Sequence, residues 1–197
     1  MKEGSALLCG IDEAGRGPLA GPVCAAAVIL PPGFPVSILN DSKKLKAEER
    51  EIARLAICQS DAAWGIGWAS AAEIDKINIH KATLLAMKRA FEAMLNKGIH
   101  NGLDEASNIS AIVDGLFVPD ISAPCEALVK ADNSVPAVMA ASIMAKTARD
   151  RLMEYYGLFY PQYGYERHKG YPTKAHREAI LRFGPSPIQR MSFSVKL

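Results

Sequence analysis

Four acidic residues in this sequence stand where apolar runs stop. Asp12 and Glu13 follow the run 6–11, Asp114 follows 109–113, and Asp132 lies just past 127–129. Carboxylates gathered within a few ångströms cannot all stay ionised unless positive charge sits among them. The set has no His or Cys, so the cation it suits is hard, magnesium or manganese rather than zinc. Two such ions about 3.5–4 Å apart stabilise both the attacking and the leaving oxygen in phosphodiester cleavage. Adjacent side chains on a strand face opposite ways, which ranks Asp12 above Glu13 as a bridging ligand. Each acid also has a plainer reading: Asp114-Gly115 as a hairpin turn, Asp132-Asn133-Ser134 as a helix N-cap, Asp12-Glu13 as a solvated strand exit. Repetition at successive strand ends is what points to a site.

The elements that must hold these acids follow from hydrophobic spacing. Residues 6–11, 23–30 and 63–69 read as strands, the first two joined by a linker, 14–22, with three glycines and two prolines. Residues 47–59 and 79–96 have helical spacing, the second closed by Lys97-Gly98. Short runs at 109–113 and 127–129 give strands four and five, 135–156 is an Ala-rich helix, and 174–183 a shorter one. Three strands in a meander, then helices alternating with two more strands, predict an α/β domain with a mixed five-stranded sheet flanked by helices. Its site belongs at the strand ends. Residues 1–197 are expected to form one domain, with 184–197 as a C-terminal tail.

The chain of 197 residues is 49% hydrophobic with a net charge of +2. No apolar run approaches the ~20 residues of a membrane span, and the first residues lack a signal-peptide pattern. The expectation is a soluble, cytoplasmic protein with no membrane partner. Cys9, Cys24, Cys58 and Cys125 form no C-x-x-C pair and sit in apolar segments, which predicts reduced, buried thiols. Charge is uneven: residues 130–197 carry 11 Lys and Arg against 5 Asp and Glu, whereas 1–129 carry 12 against 16. A basic face beside an acidic, cation-holding pocket is the pattern of a phosphate-backbone ligand.

The segments GIDEAGRGPLAGPV at 10–23, DSKKL at 41–45, VDG at 113–115, KAD at 130–132, AASIMAKTARDRLM at 140–153 and HKGYPT at 168–173 resemble ribonuclease HII motif for motif. The resemblance runs over residues 8–193. It implies the ribonuclease H-like fold, hydrolysis of RNA in RNA/DNA hybrids, and incision 5′ of ribonucleotides embedded in duplex DNA, by a monomer using two Mn2+ or Mg2+ ions. It puts the metal-binding, catalytic acids at Asp12, Glu13, Asp114 and Asp132, and a ribonucleotide-sensing loop at Gly15, Arg16 and Gly17. Glycine backbone can approach a sugar closely, and the 2′-OH is the group that marks RNA. Tyr171 falls beside the scissile linkage, packing on the deoxyribose that follows the ribonucleotide. Lys43, Ser142, Lys146 and Arg149 fall near phosphates, the last three spaced i, i+4 and i+7 on one helix face. His168 and His176 receive no role. Ala131 stands where many relatives have Gly, which touches no ligand.

Related chemistries fit these residues less well. Ribonuclease HIII lacks this GRG form and usually has an extra N-terminal domain, whereas about eleven residues precede Asp12. A junction-resolving nuclease has no need of a 2′-OH sensor. A non-catalytic nucleic-acid-binding module predicts loss of an acid, and all four are present. A P-loop NTPase is excluded because GIDEAGRGPLAG lacks the Lys-Ser/Thr end.

Overall fold

The computed structural model describes residues 6–40, 42, 44–100 and 108–195. Strands β1 (Leu7–Ala14), β2 (Val23–Ile29), β3 (Ala63–Ala69), β4 (Ile109–Asp114) and β5 (Cys125–Leu128) form one sheet in the order β3-β2-β1-β4-β5. β1 is central, antiparallel to β2 and parallel to β4. The first three strands form the expected meander, and the last two add in parallel. β5 begins two residues before the run 127–129, its register set by Ala111 opposite Cys125.

β2 reads Val-Cys-Ala-Ala-Ala-Val-Ile and is buried throughout, because helices cover both faces. Val23, Ala25, Ala27 and Ile29 pack with Ala82, Ala86, Phe91 and Met94 of α2 (Ala71–His100). Cys24, Ala26 and Val28 look the other way, onto Ala53 and Ile57 of α1 (Ala47–Gln59) and Ala140 and Met144 of α3 (Pro136–Phe159). Strand alternation thus splits one apolar run between two cores. Small residues let the layers close: a Cβ on Gly10 would lie 2.1 Å from the carbonyl carbon of Ala137, so only glycine admits the start of α3 against β1.

α2 starts eight residues before the expected 79, since it is two helical pieces joined at Asn78, whose φ is +69°. The first piece opens with Ser70 and Glu73 bonding each other's backbone N–H. Asn78 Oδ1 accepts from Lys81 N at 3.1 Å and starts the second piece. Two short helices, α4 (Tyr165–His168) and α5 (Lys174–Phe183), follow α3. Residues 184–195 hold no helix or strand of their own, yet they are tied down. Gly21 N donates to Ile188 O, Arg190 N donates to Leu19 O, and Ala20 bridges Gln189. No helix among the described residues is long and apolar enough to cross a membrane.

Candidate active site

The register of β1 against β4 builds the centre. Ile11 opposite Val113 is the last parallel pair, so the next residue on each strand, Asp12 and Asp114, lies at the same level. Asp132 joins them from a single 3-10 turn, Ala131–Asn133, just beyond β5. One oxygen of each carboxylate lies within 4.8 Å of those of the other two. Local hydrogen bonds fix the three: Glu13 N donates to Asp12 Oδ1 at 2.7 Å, Ala131 N to Asp114 Oδ1 at 2.9 Å, and Asn133 Nδ2 to Asp132 Oδ1 at 2.9 Å. Asp12 and Asp132 are buried. Burial first, then the charges of Glu13 and Asp114, push the Asp12 carboxyl well above its ordinary range, while a Ser142 hydrogen bond opposes them. This is the crowding that a cation relieves, and an all-oxygen donor set at this spacing fits a hard divalent ion.

Glu13 stands one step along the strand and outside that cluster. Its side chain is mostly buried and accepts from Arg16 Nη1 at 3.3 Å, so the acid nearest the loop is joined to the loop's exposed arginine. The separation from Asp12 follows from strand alternation.

Past β1 the chain enters the 15–17 loop. Gly15 has φ +96°, and a Cβ there would fall 1.9 Å from Arg149 Nε. Glycine is required both by the conformation and by the guanidinium packed against it. Gly17 faces the ring of Tyr171, whose Cε1 is 3.8 Å from where a Cβ would stand. Tyr171 is 41% exposed, but its backbone is held by Tyr171 N to His168 O at 2.9 Å and by His176 Nδ1 at 3.0 Å from Tyr171 O. His168 and His176 stack at 4.5 Å beneath it, so the two histidines brace the loop that presents the ring.

Two of the residues expected near phosphates are placed otherwise. Arg149 is 1% exposed, and its donors go to backbone carbonyls: Nε to Pro22 O at 3.0 Å, Nη1 to Lys169 O at 3.0 Å and Nη2 to Ala20 O at 3.2 Å. A guanidinium spent on three carbonyls is an internal clamp, not a surface cation. Ser142 is also buried, its Oγ 2.9 Å from Ser42 Oγ; it supports Asp12 rather than facing solvent. Lys146 keeps partial exposure and pairs with Asp150 at 2.8 Å. Lys43 lies outside the described residues. Sequence reasoning gave no place to Ser42 or to Arg190, a fully buried arginine that hydrogen-bonds the loop from residues far along the chain.

A central strand flanked by one antiparallel and one parallel neighbour, with carboxylates converging at its end, is the plan of the ribonuclease H-like fold. Ribonuclease HII of Archaeoglobus fulgidus, solved with PCNA, superposes with a TM-score of 0.74 at 24% identity over 97% of this chain and 96% of that one. Bst-RNase HIII, solved with Mn2+, superposes at 0.74 with 19% identity, over 98% of this chain and 69% of that one. A family profile described as Ribonuclease HII matches residues 9–196. Ribonuclease HII of Treponema denticola is 58% identical over 96% of this chain and 99% of its own length, and that of Desulforamulus reducens is 48% identical over 95% and 90%. The chain belongs to the ribonuclease HII family. Ribonuclease H activity on RNA/DNA hybrids, in a family dependent on a divalent metal, comes with that membership.

Proposed function

We propose that this chain, beyond acting on hybrids, incises duplex DNA on the 5′ side of a single embedded ribonucleotide. The observation that carries the reading is that Gly17 faces the Tyr171 ring across a gap that one added methyl group would close, a Cβ there standing 3.8 Å from Tyr171 Cε1. Backbone of the 15–17 loop would meet a 2′-OH, and the ring would pack on the hydroxyl-free sugar that follows. A pair so placed reads an RNA-to-DNA step.

Asp12, Asp114 and Asp132, with Glu13 beside them, would hold two Mg2+ or Mn2+ ions. Bound there, the ions supply a nucleophile at neutral pH and offset charge on the leaving oxygen. Asp12, in the centre of the triad's strand pair, would bridge, and Ser142 would orient it. Glu13 would draw Arg16 toward the site through their ion pair. Lys146, partly exposed beside Asp150, would meet backbone phosphate. One chain carries every group named, so it would act as a monomer. Buried free thiols at Cys9 and Cys24 suit the reducing cytoplasm.

The test is duplex DNA with one ribonucleotide, incubated with and without Mg2+ or Mn2+, and the cut mapped. The expected products are a 3′-OH upstream and a 5′-phosphate on the ribonucleotide downstream. A cut elsewhere, or equal cutting of all-DNA duplex, would overturn the reading.

A further inference from the structure

We propose that Arg190 is a positioning residue for ribonucleotide recognition, setting the peptide groups of the 15–17 loop against Tyr171 from beneath. This rests on the reading of that loop as the 2′-OH sensor.

Arg190 is 0% exposed. Its fork spans three carbonyls: Nε to Gly21 O at 2.8 Å, Nη1 to Arg16 O at 2.9 Å and Nη2 to Gly15 O at 2.6 Å. The Gly15 carbonyl shares its peptide with Arg16 N–H, and the Arg16 carbonyl shares its peptide with Gly17 N–H. A cation on these two oxygens fixes the peptide planes and polarises them, making both N–H groups stronger donors toward a sugar hydroxyl. Arg149 does the same one layer away, with Ala20 and Pro22 on one side and Lys169, two residues from Tyr171, on the other. Leu19 N to Gly170 O at 2.8 Å closes the joint. The two buried guanidiniums therefore hold the sensor loop and the tyrosine loop as one body. Burying two like charges side by side is costly; burial, and then Arg149, drives the Arg190 pKa down. A fold keeps such an arrangement where geometry has to be held tightly. Outside the body, Asp75 on α2 fixes the segment that delivers Arg190, accepting from Met191 N and Ser192 N at 2.9 Å each.

Arg190→Lys retains the charge but cannot bridge three carbonyls. In the full chain, kcat/KM on the single-ribonucleotide duplex should fall about ten to a hundredfold further than on a long hybrid, because that duplex offers one 2′-OH in one register next to deoxyribose, whereas a long hybrid offers a 2′-OH at every nucleotide of its RNA and tolerates a sensor displaced by a fraction of an ångström. Hydrogen exchange should quicken at residues 15–17 and 170–171 together. Asp75→Ala, which touches neither loop, should shift the same ratio less, and adding it to Arg190→Lys should change little more. It also carries the test if Arg190→Lys folds poorly. Equal losses on both substrates, or an unchanged ratio in both variants, would overturn the role of Arg190. A parent chain that shows no preference for the ribonucleotide would instead overturn the sensor reading.

Discussion

A methyl group built on Gly17 would touch the Tyr171 ring at 3.8 Å, and apart from the adjoining residues no other heavy atom of the described residues lies within 4 Å. Among the described residues there is room for an alanine; what it takes is the space between the 15–17 loop and the ring, where the proposed reading seats a sugar. Gly17→Ala should fold with stability within about 0.5 kcal/mol of the parent, yet lose about tenfold or more in cleavage at a single ribonucleotide, the scale of one stacking contact. Thermal melts beside cleavage rates decide. Unchanged cleavage would mean that no substrate group enters that space.

Tyr171→Ala removes the ring while leaving the backbone bonds that hold its loop. Activity on the single-ribonucleotide duplex should drop about ten to a hundredfold, the value of one aromatic stacking contact, with a smaller drop on a long hybrid. Equal losses on both would make the ring a general positioning group.

Asp114→Asn replaces a hard anionic donor by an amide, and activity should fall to near background at any practical metal concentration. The amide oxygen can still accept from Ala131 N, so the fold should survive. Without metal the variant should be no less stable than the parent, since one of the charges that disfavour ionised Asp12 has gone. A clear drop in melting temperature would assign Asp114 a structural role.

The histidine pair sets an acid limit on stability. Burial, above all, lowers the pKa of both His168 and His176 below the ordinary histidine value, and His168 adds repulsion at His176. His168 Nδ1 already accepts from Gly170 N at 3.2 Å, so a second ring proton has nowhere to go. With folded values below unfolded ones, the unfolded chain takes up protons that the fold refuses. Stability from this source is intact above about pH 6.5 and is lost as pH falls through it. His168→Gln should flatten the fall in melting temperature between pH 7 and 5.5 relative to the parent. Parallel curves would remove the pair from the acid response.

The strand-end acids were legible because their signal is local: an apolar run, then a carboxylate, three times over. Register did the rest, and register follows from which residues must be buried. Arg149 was misplaced for an equally local reason. The spacing of Ser142, Lys146 and Arg149 says that they share a helix face, but not whether the face meets water or backbone, and here the carbonyls waiting for Arg149 lie 20 to 129 positions away. Arg190 gave no pattern at all, since its partners are 169 to 175 positions distant and its segment has no periodicity. The early start of α2 was hidden by Asn78, a residue that breaks helical spacing while letting two helices run on.

The sheet order has a consequence for engineering. Asp12 and Asp114 sit on paired central strands, and β1, buried between two helical layers, leaves them little freedom to drift. On the proposed reading, what would read the substrate lies instead on segments 15–17 and 168–173, tied to each other and to 186–195 through Arg149, Arg190 and the bond from Leu19 N to Gly170 O. On that reading, hydrolysis and choice of target would be housed in separable parts, and a redesign of target preference would rebuild those three segments as a set while leaving the strands that carry the acids untouched.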